Sequence, residues 1–349
     1  MKKGFTLIEL MVVVALIFLL SGLTFPVAYS FLQKSAIKDE ARNMESSLRK
    51  AQAVAISGRG DSSSGIKIFQ NNYTLFEGES YINRREAMDT VLVFSVAISA
   101  SGAQEIVFQK TTGLPIFPGM VGHWDFNEAT GTIIYDSSYY INQDNGIVSG
   151  TTWSRVEGKD NHALELGGNS SVNVANNYSL NPEKEITVSA WLNADAARDG
   201  EIIKKGGTES GKGYDLSISS EGTVIFNLGD GSSVQTISNN YGSELLGKWV
   251  YLVATWDGQT MKQYINGELQ PNANFFSGSI SSSTDNLIIG EGLTGKIDDV
   301  RLYNYALSKE DIKTNYLARK DDIAVGLKFG ENREYVVINS QGRIEAINQ

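Results

Sequence analysis

Lys3-Gly4-Phe5-Thr6-Leu7-Ile8-Glu9-Leu10 is the stretch on which the reading of this chain turns. From Phe5 to Leu23 the residues are mostly apolar, with Glu9 the one charge, and as a helix rising about 1.5 Å per residue they just span a bilayer core. Lys2 and Lys3 precede the run, which keeps that end cytoplasmic and places the rest of the chain outside. A secretory signal peptide carries its small-residue cleavage site after the apolar run. Here the small residue, Gly4, comes before it. Glu9 is the only charged side chain between Lys3 and Lys34. A carboxylate in an apolar helix is costly unless paired, so it marks function. Cleavage after Gly4 frees an α-amine on Phe5, about one helical turn from Glu9. In a helical assembly that amine neutralises the Glu9 of a neighbouring subunit.

These residues resemble the class III signal of type IV pilins and type II secretion pseudopilins. The resemblance implies cleavage between Gly4 and Phe5 by a prepilin peptidase, N-methylation of Phe5, and a role for Glu9 in subunit docking. Pro26 lies where pilins commonly carry a helix-bending proline, and proline in a helix removes an i→i−4 bond. Beyond it Ile37, Ala41, Met44, Leu48, Ala51 and Ala55 follow a 4-3-4-3-4 spacing, a one-sided apolar stripe that predicts an amphipathic continuation. Ser57-Gly58-Arg59-Gly60 ends it. Arg59-Gly60-Asp61 also spells an integrin-type tripeptide, for which a helix stop is the simpler reading.

From Gly65 the period changes to two. Ile66, Ile68, Tyr73 and Leu75 alternate with polar residues around Asn71-Asn72, which predicts a hairpin, and Val91–Ile98 and Ile106–Phe108 are β-favouring runs. Gly113, Pro115, Pro118 and Gly119 form a breaker-rich junction. The same style resumes near the carboxyl end in Ala324–Phe329, Tyr335–Asn339 and Arg343–Ile347. That tail is too short to fold alone, but residues 1–118 and 320–349 together make 148 residues, a normal pilin length. The tail is similar to the last strands of H-type minor pseudopilins.

Residues 119–319 differ in composition. They hold 14 Lys+Arg against 25 Asp+Glu, so they account for the whole formal charge of −10, and they contain all five tryptophans and both histidines. Such acidity argues against a nucleic-acid surface on this part of the chain. The chain has no cysteine, which excludes disulfides and thiolate chemistry. Short strands separated by Gly, Asn and Ser predict a β-sandwich: Ile186–Trp191, Tyr214–Ile218, Thr223–Leu228, Trp249–Thr255, Lys262–Ile265 and Asn286–Ile289. His123–Glu128 with Asp136-Ser137-Ser138, Ala163–Leu166, Tyr264–Gly267 and Gly295–Asn304 sharpen the pattern. Together these resemble a LamG-like jelly roll of the concanavalin A-like lectin/glucanase superfamily, which implies extracellular binding of carbohydrate or protein, often with one calcium. Asp125, Asp136, Asp144, Asp298 and Asp299 are the hard-oxygen candidates that the resemblance points to, with turns and solvated strand ends as the plainer reading.

Of the tryptophans, Trp191 and Trp249 sit in apolar strand patterns and read as core, whereas Trp153 and Trp256 adjoin polar turns and are candidates for stacking on a ligand. His123 reads as an ordinary edge residue. A glucanase needs two carboxylates flanking a glycosidic bond, and no strand carries a Glu-x-Asp-x-x-Glu pattern. No nucleophile elbow, zinc-protease motif or phosphate loop is present either, so no enzyme is expected.

The expected architecture is an α+β pilin fold, a long N-terminal helix plus a small antiparallel head, with an inserted all-β jelly-roll sandwich. It divides into a leader (1–4), a transmembrane and filament-core helix (5–33), the first part of the head (34–118), the insert (119–319) and the last head strands (320–349). The expected product is a minor subunit of an extracellular type IV pilus-type filament that displays a domain for adhesion. It starts in the cytoplasmic membrane, its carboxyl end outside, and ends in a cell-surface or periplasmic filament. Its partners are other pilin subunits, the prepilin peptidase, the membrane, and a glycan or surface protein. The alternative is a secretion or DNA-uptake pseudopilin whose insert is a spacer or substrate contact.

Overall fold

A single helix, α1 (Leu7–Ser57), opens the structure and includes the position of Pro26. The computed structural model describes residues 7–58, 62–95, 97–128, 130–138, 144–150, 153–159, 161–195, 199–207, 211–317, 323–339 and 341–348, without the side chains of 21–27, Trp153 and Asn348. Gly4, Phe5 and Arg59-Gly60-Asp61 lie outside the described residues. The two halves of α1 have opposite surroundings. Leu7, Ile8, Leu10, Leu16, Ile17, Phe18, Leu20, Phe31 and Leu32 are exposed, while all six residues of the expected stripe, Ile37 to Ala55, are at most 1% exposed. Among the described residues no helix is long and apolar enough to cross a membrane.

The head is built from β1 (Ser64–Ile68), β2 (Asn72–Glu77), β3 (Thr90–Val93), β4 (Ser99–Gly102), β5 (Glu105–Phe108) and β6 (Pro115–Ile116). Five of them form one antiparallel sheet in the order β3-β2-β1-β5-β6. Then come β7 (Met120–Trp124), β8 (Ile133–Ile134), β9 (Gly146–Gly150), β10 (Trp153–Glu157), β11 (His162–Gly167), β12 (Ser170–Val174), β13 (Ile186–Ala194) and β14 (Gly200–Lys205). They are followed by β15 (Lys212–Ile218), β16 (Thr223–Asp230), β17 (Val234–Asn240), β18 (Val250–Trp256), β19 (Thr260–Ile265), β20 (Glu268–Phe275), β21 (Leu287–Ile289) and β22 (Thr294–Tyr303). A short helix, α2 (Lys309–Leu317), leads to β23 (Ile323–Phe329), β24 (Asn332–Ile338) and β25 (Ile344–Asn348).

β4 leaves its neighbours in sequence and pairs with β23 instead, Gly102 opposite Val325, giving a second head sheet of order β25-β24-β23-β4. Gly102 has φ +94°, and a Cβ there would stand 2.2 Å from the Ala324 carbonyl oxygen, so only glycine allows this approach. Both head sheets share a core with the buried stripe of α1: Met44, Leu48, Ile66, Phe108, Val325, Val336 and Ile344 belong to one cluster.

Between the two parts of the head stands an all-β sandwich of two antiparallel sheets. The first has the order β10-β11-β22-β13-β18-β19-β20, with β7 also on β22, and the second the order β17-β16-β15-β14-β21-β12-β9-β8. Alternate residues of both, such as Val188, Leu252, Leu302, Leu216, Phe226 and Val172, fill the space between them. The central strands of the first sheet are buried on both faces. Trp191, Tyr251, Val253, Tyr264 and Tyr303, which point away from the sandwich, belong to the head core along with Leu307 and Ile312 around α2. The second sheet has no such cover.

Candidate functional site

Glu9 lies on the exposed apolar half of α1, within its first turn, where a carboxylate also suits the helix dipole. Its neighbours Leu7, Ile8, Leu10 and Met11 are exposed apolar residues.

The jelly roll is fastened to the head through α2 and the outer face of the first sheet. Ser308 and Asp311 cap α2 reciprocally: the Asp311 amide donates to Ser308 Oγ at 3.1 Å and the Ser308 amide to Asp311 Oδ2 at 3.2 Å. The other Asp311 oxygen accepts the Gly102 amide at 2.6 Å. Trp191 packs on Tyr251 (5.2 Å between centroids) and stacks on Tyr316 of α2 (5.8 Å), with the Lys159 ammonium 4.8 Å from its ring. Trp191 is thus buried, as its strand pattern implied, but in the junction and not between the sheets. Trp249 is partly buried against the same cluster.

Two readings of single residues need correction. Trp256 is fully buried in the sandwich core, its ring stacked 5.0 Å from Phe276 and its Nε1 donating to the Phe276 carbonyl at 2.9 Å. It offers no surface to a ligand. His123 is no ordinary edge residue: it is buried, with Nε2 2.7 Å from Asp299 Oδ1, and Arg301 Nε donates to the same oxygen at 2.8 Å. Burial pulls the Arg301 pKa down, but Asp299 and the tyrosines Tyr303 and Tyr251 outweigh it and the net shift is upward. The Trp153 side chain and that of Pro26 lie outside the described residues.

The five aspartates are buried and already engaged. Asp136 accepts the His123, Ser138 and Asp144 amides at 2.9, 2.9 and 3.1 Å. Asp144 accepts Asn177 Nδ2 and Ser179 Oγ, both at 2.6 Å. Asp125 accepts the Asn127 amide and Ser137 Oγ at 3.2 Å each, and Asp298 accepts the Lys159 amide at 3.0 Å. Among the described residues no group of three or more His, Asp or Glu side chains is placed to hold a metal. These hydrogen bonds fasten the loops that carry the aspartates.

The exposed face of the second sheet carries a feature that spacing did not reveal. Register aligns Thr236, Asn227, Asp215, Lys204, Ile288, Asn173, Ile147 and Ile133 in one row across all eight strands. At about 4.8 Å per strand the row is roughly 34 Å long. Its polar half is ordered by hydrogen bonds: Thr236 Oγ1 donates to Asn227 Oδ1 at 2.6 Å, and Asn227 Nδ2 to Asp215 Oδ1 at 3.0 Å. Its other half ends in two exposed isoleucines, Ile147 and Ile133. Asp215 sits deepest in the row. Burial pushes its pKa up to about 7, Glu201 adds to the rise, and Asn227 and Lys204 oppose it. Alternation in each strand held the signal, since Tyr214, Leu216, Phe226 and Ile237 point inward and leave these residues outward.

Comparison with known proteins matches these two parts separately. Residues 1–25 match the prokaryotic N-terminal methylation motif, and residues 166–313 match the concanavalin A-like lectin/glucanases superfamily. Among solved structures, the chain is similar to the botulinum neurotoxin serotype G binding domain at 17% identity and TM-score 0.47, covering 56% of this chain and 50% of that one. It is similar to the binding domain of Paraclostridial Mosquitocidal Protein 1 at 13% identity and TM-score 0.47, over 66% and 67%. Domain 4 of AbnA, an extracellular arabinanase of Geobacillus stearothermophilus solved with arabinotriose, is similar at 17% identity and TM-score 0.44, over 56% and 96%. The chain spans about half the length of the neurotoxin domain it matches. At these identities the likeness says nothing of ligand or activity. The chain carries a prokaryotic N-terminal methylation motif at its amino end and, between the two parts of its head, a jelly-roll domain of the concanavalin A-like lectin/glucanase kind.

Proposed function

We propose that this chain is a minor pilin-like subunit of an extracellular type IV pilus-type filament, and that its jelly roll is the part that binds. The observation that carries the reading is the division of α1. Its first half exposes apolar side chains from Leu7 to Leu20 and again at Phe31 and Leu32, a surface that water does not tolerate, and its second half is consumed by the head. A membrane before assembly and a bundle of like helices after it both satisfy such a surface. The Phe5 amine, freed by prepilin peptidase and methylated, then meets Glu9 of a neighbour.

The binding face follows from burial. With the first sheet covered by the head, the second sheet is the broad face left to solvent, and its row of hydrogen-bonded polar groups beside exposed isoleucines suits an extended glycan or a protein surface. Binding is read here without catalysis. The firm junction through Trp191 and Tyr316 also suits a rigid spacer in a secretion pseudopilin. A glycan array and a surface-protein panel separate the two. The full-length chain in detergent is expected to retain a ligand, and Lys204→Ala with Asn227→Ala to lose it at least tenfold. Retention unchanged in the double variant overturns the assigned face, and no ligand at all favours the spacer.

A further inference from the structure

One end of the sandwich is a rim where loops of the second sheet meet, and a buried lysine stands at its centre. Lys205, the last residue of β14, has no exposed surface. Its Nζ donates to Asn176 Oδ1 at 2.7 Å and to the Asp285 carbonyl at 2.6 Å. The carboxylates of Asp144 and Asp285 both act on it electrostatically. Each of these groups is itself held. Ser179 and Asn177 donate to Asp144, Ser283 Oγ donates to Asp285 Oδ2 at 3.0 Å, and the Ser283 amide donates to Asn181 Oδ1 at 3.0 Å. The lysine therefore joins the β8–β9, β12–β13 and β20–β21 connections to the end of β14.

The oxygens around Nζ, an amide, a backbone carbonyl and two nearby carboxylates, are of the kinds that calcium takes. Asp144 is buried, and a buried carboxylate needs a cation for company. In this chain the cation is an ammonium group that the chain itself supplies, with two of its three donors on the oxygens of Asn176 and Asp285. We propose that Lys205 is the resident cation of the rim, beside Asp144, one of the five aspartates for which the resemblance led us to expect calcium, so that the jelly roll holds its loops in order there without a metal. A tethered ammonium is not removed by chelators and does not depend on extracellular calcium, which suits a domain carried outside the cell.

Thermal melting of the full-length chain in detergent tests this, with 5 mM calcium or with EDTA. The wild type is expected to melt at the same temperature in both. Lys205→Met keeps the stem and removes the charge, and is expected to melt roughly 6–10 °C lower. Lys205→Ala opens a hole of the shape of propylammonium, and either that ion or calcium is expected to return several degrees to this variant while leaving the wild type unmoved. A calcium-dependent rise in the wild type reversed by EDTA overturns the proposal, as does Lys205→Met melting like the wild type. Should Lys205→Ala fail to fold, those two comparisons decide the matter alone.

Discussion

Asp215 is the residue whose environment makes the sharpest demand. It lies in the outward row of the second sheet yet is almost fully buried, and its folded pKa of about 7 stands well above the ordinary 3.8. The folded chain therefore holds a proton there that the unfolded chain has released between about pH 4 and pH 7. Stability from this group is whole below pH 4 and falls as pH rises through 7, by on the order of 4 kcal/mol in full. Asp215→Asn removes the titration and keeps a partner for Asn227. Its melting temperature should match the wild type near pH 4 and exceed it increasingly up to pH 8. A difference that stays constant across that range contradicts the assignment.

At the scale of elements, α1 was legible almost residue by residue. A 3.6-residue period needs only a strip of apolar side chains, and each of Ile37, Ala41, Met44, Leu48, Ala51 and Ala55 is buried where spacing put it. The strands were legible too, but which of their faces did what was not. Val250, Leu252, Ala254 and Trp256 share one face of β18, so alternation already placed Trp256 inside; the polar turn after it obscured that. Tyr251 and Val253 on the opposite face are equally buried, the mark of a sheet covered on both sides. The helix α2 went unread, although Ser308-x-x-Asp311 before Ile312 is a capping signal. The contrast along α1 has a direct consequence. Leu48→Ala should cost the head about 2–5 kcal/mol in chemical denaturation. Leu16→Ala, more than half exposed, should leave it within about 0.5 kcal/mol. Equal losses would mean that the front half of α1 packs on the head after all.

At the scale of the whole molecule, pairing across long separations is what the sequence hid. His123 and Asp299 are 176 residues apart, and neither residue type alone announces the other. The same holds for Lys205, an unremarked lysine whose partners come from three connections. What composition did carry was the change of character between 119 and 319, and the fold gives it a physical meaning. β4 and β23 close the head across the jelly roll, while α2 and the aromatic junction fasten the jelly roll to the head.

Joining to other subunits through the exposed half of α1 is the centre of the account, and Glu9 tests it most directly. Glu9→Val removes the carboxylate that meets a neighbour's Phe5 amine and leaves the head core untouched, since α1 enters that core only from Ile37 onward. Sheared surface filaments from cells carrying either chain can be probed for the subunit, with head melting measured alongside. The wild-type subunit should be found in the filament fraction, and Glu9→Val should remain in the membrane fraction with an unchanged melting temperature. Glu9→Val entering filaments as well as the wild type would contradict the account.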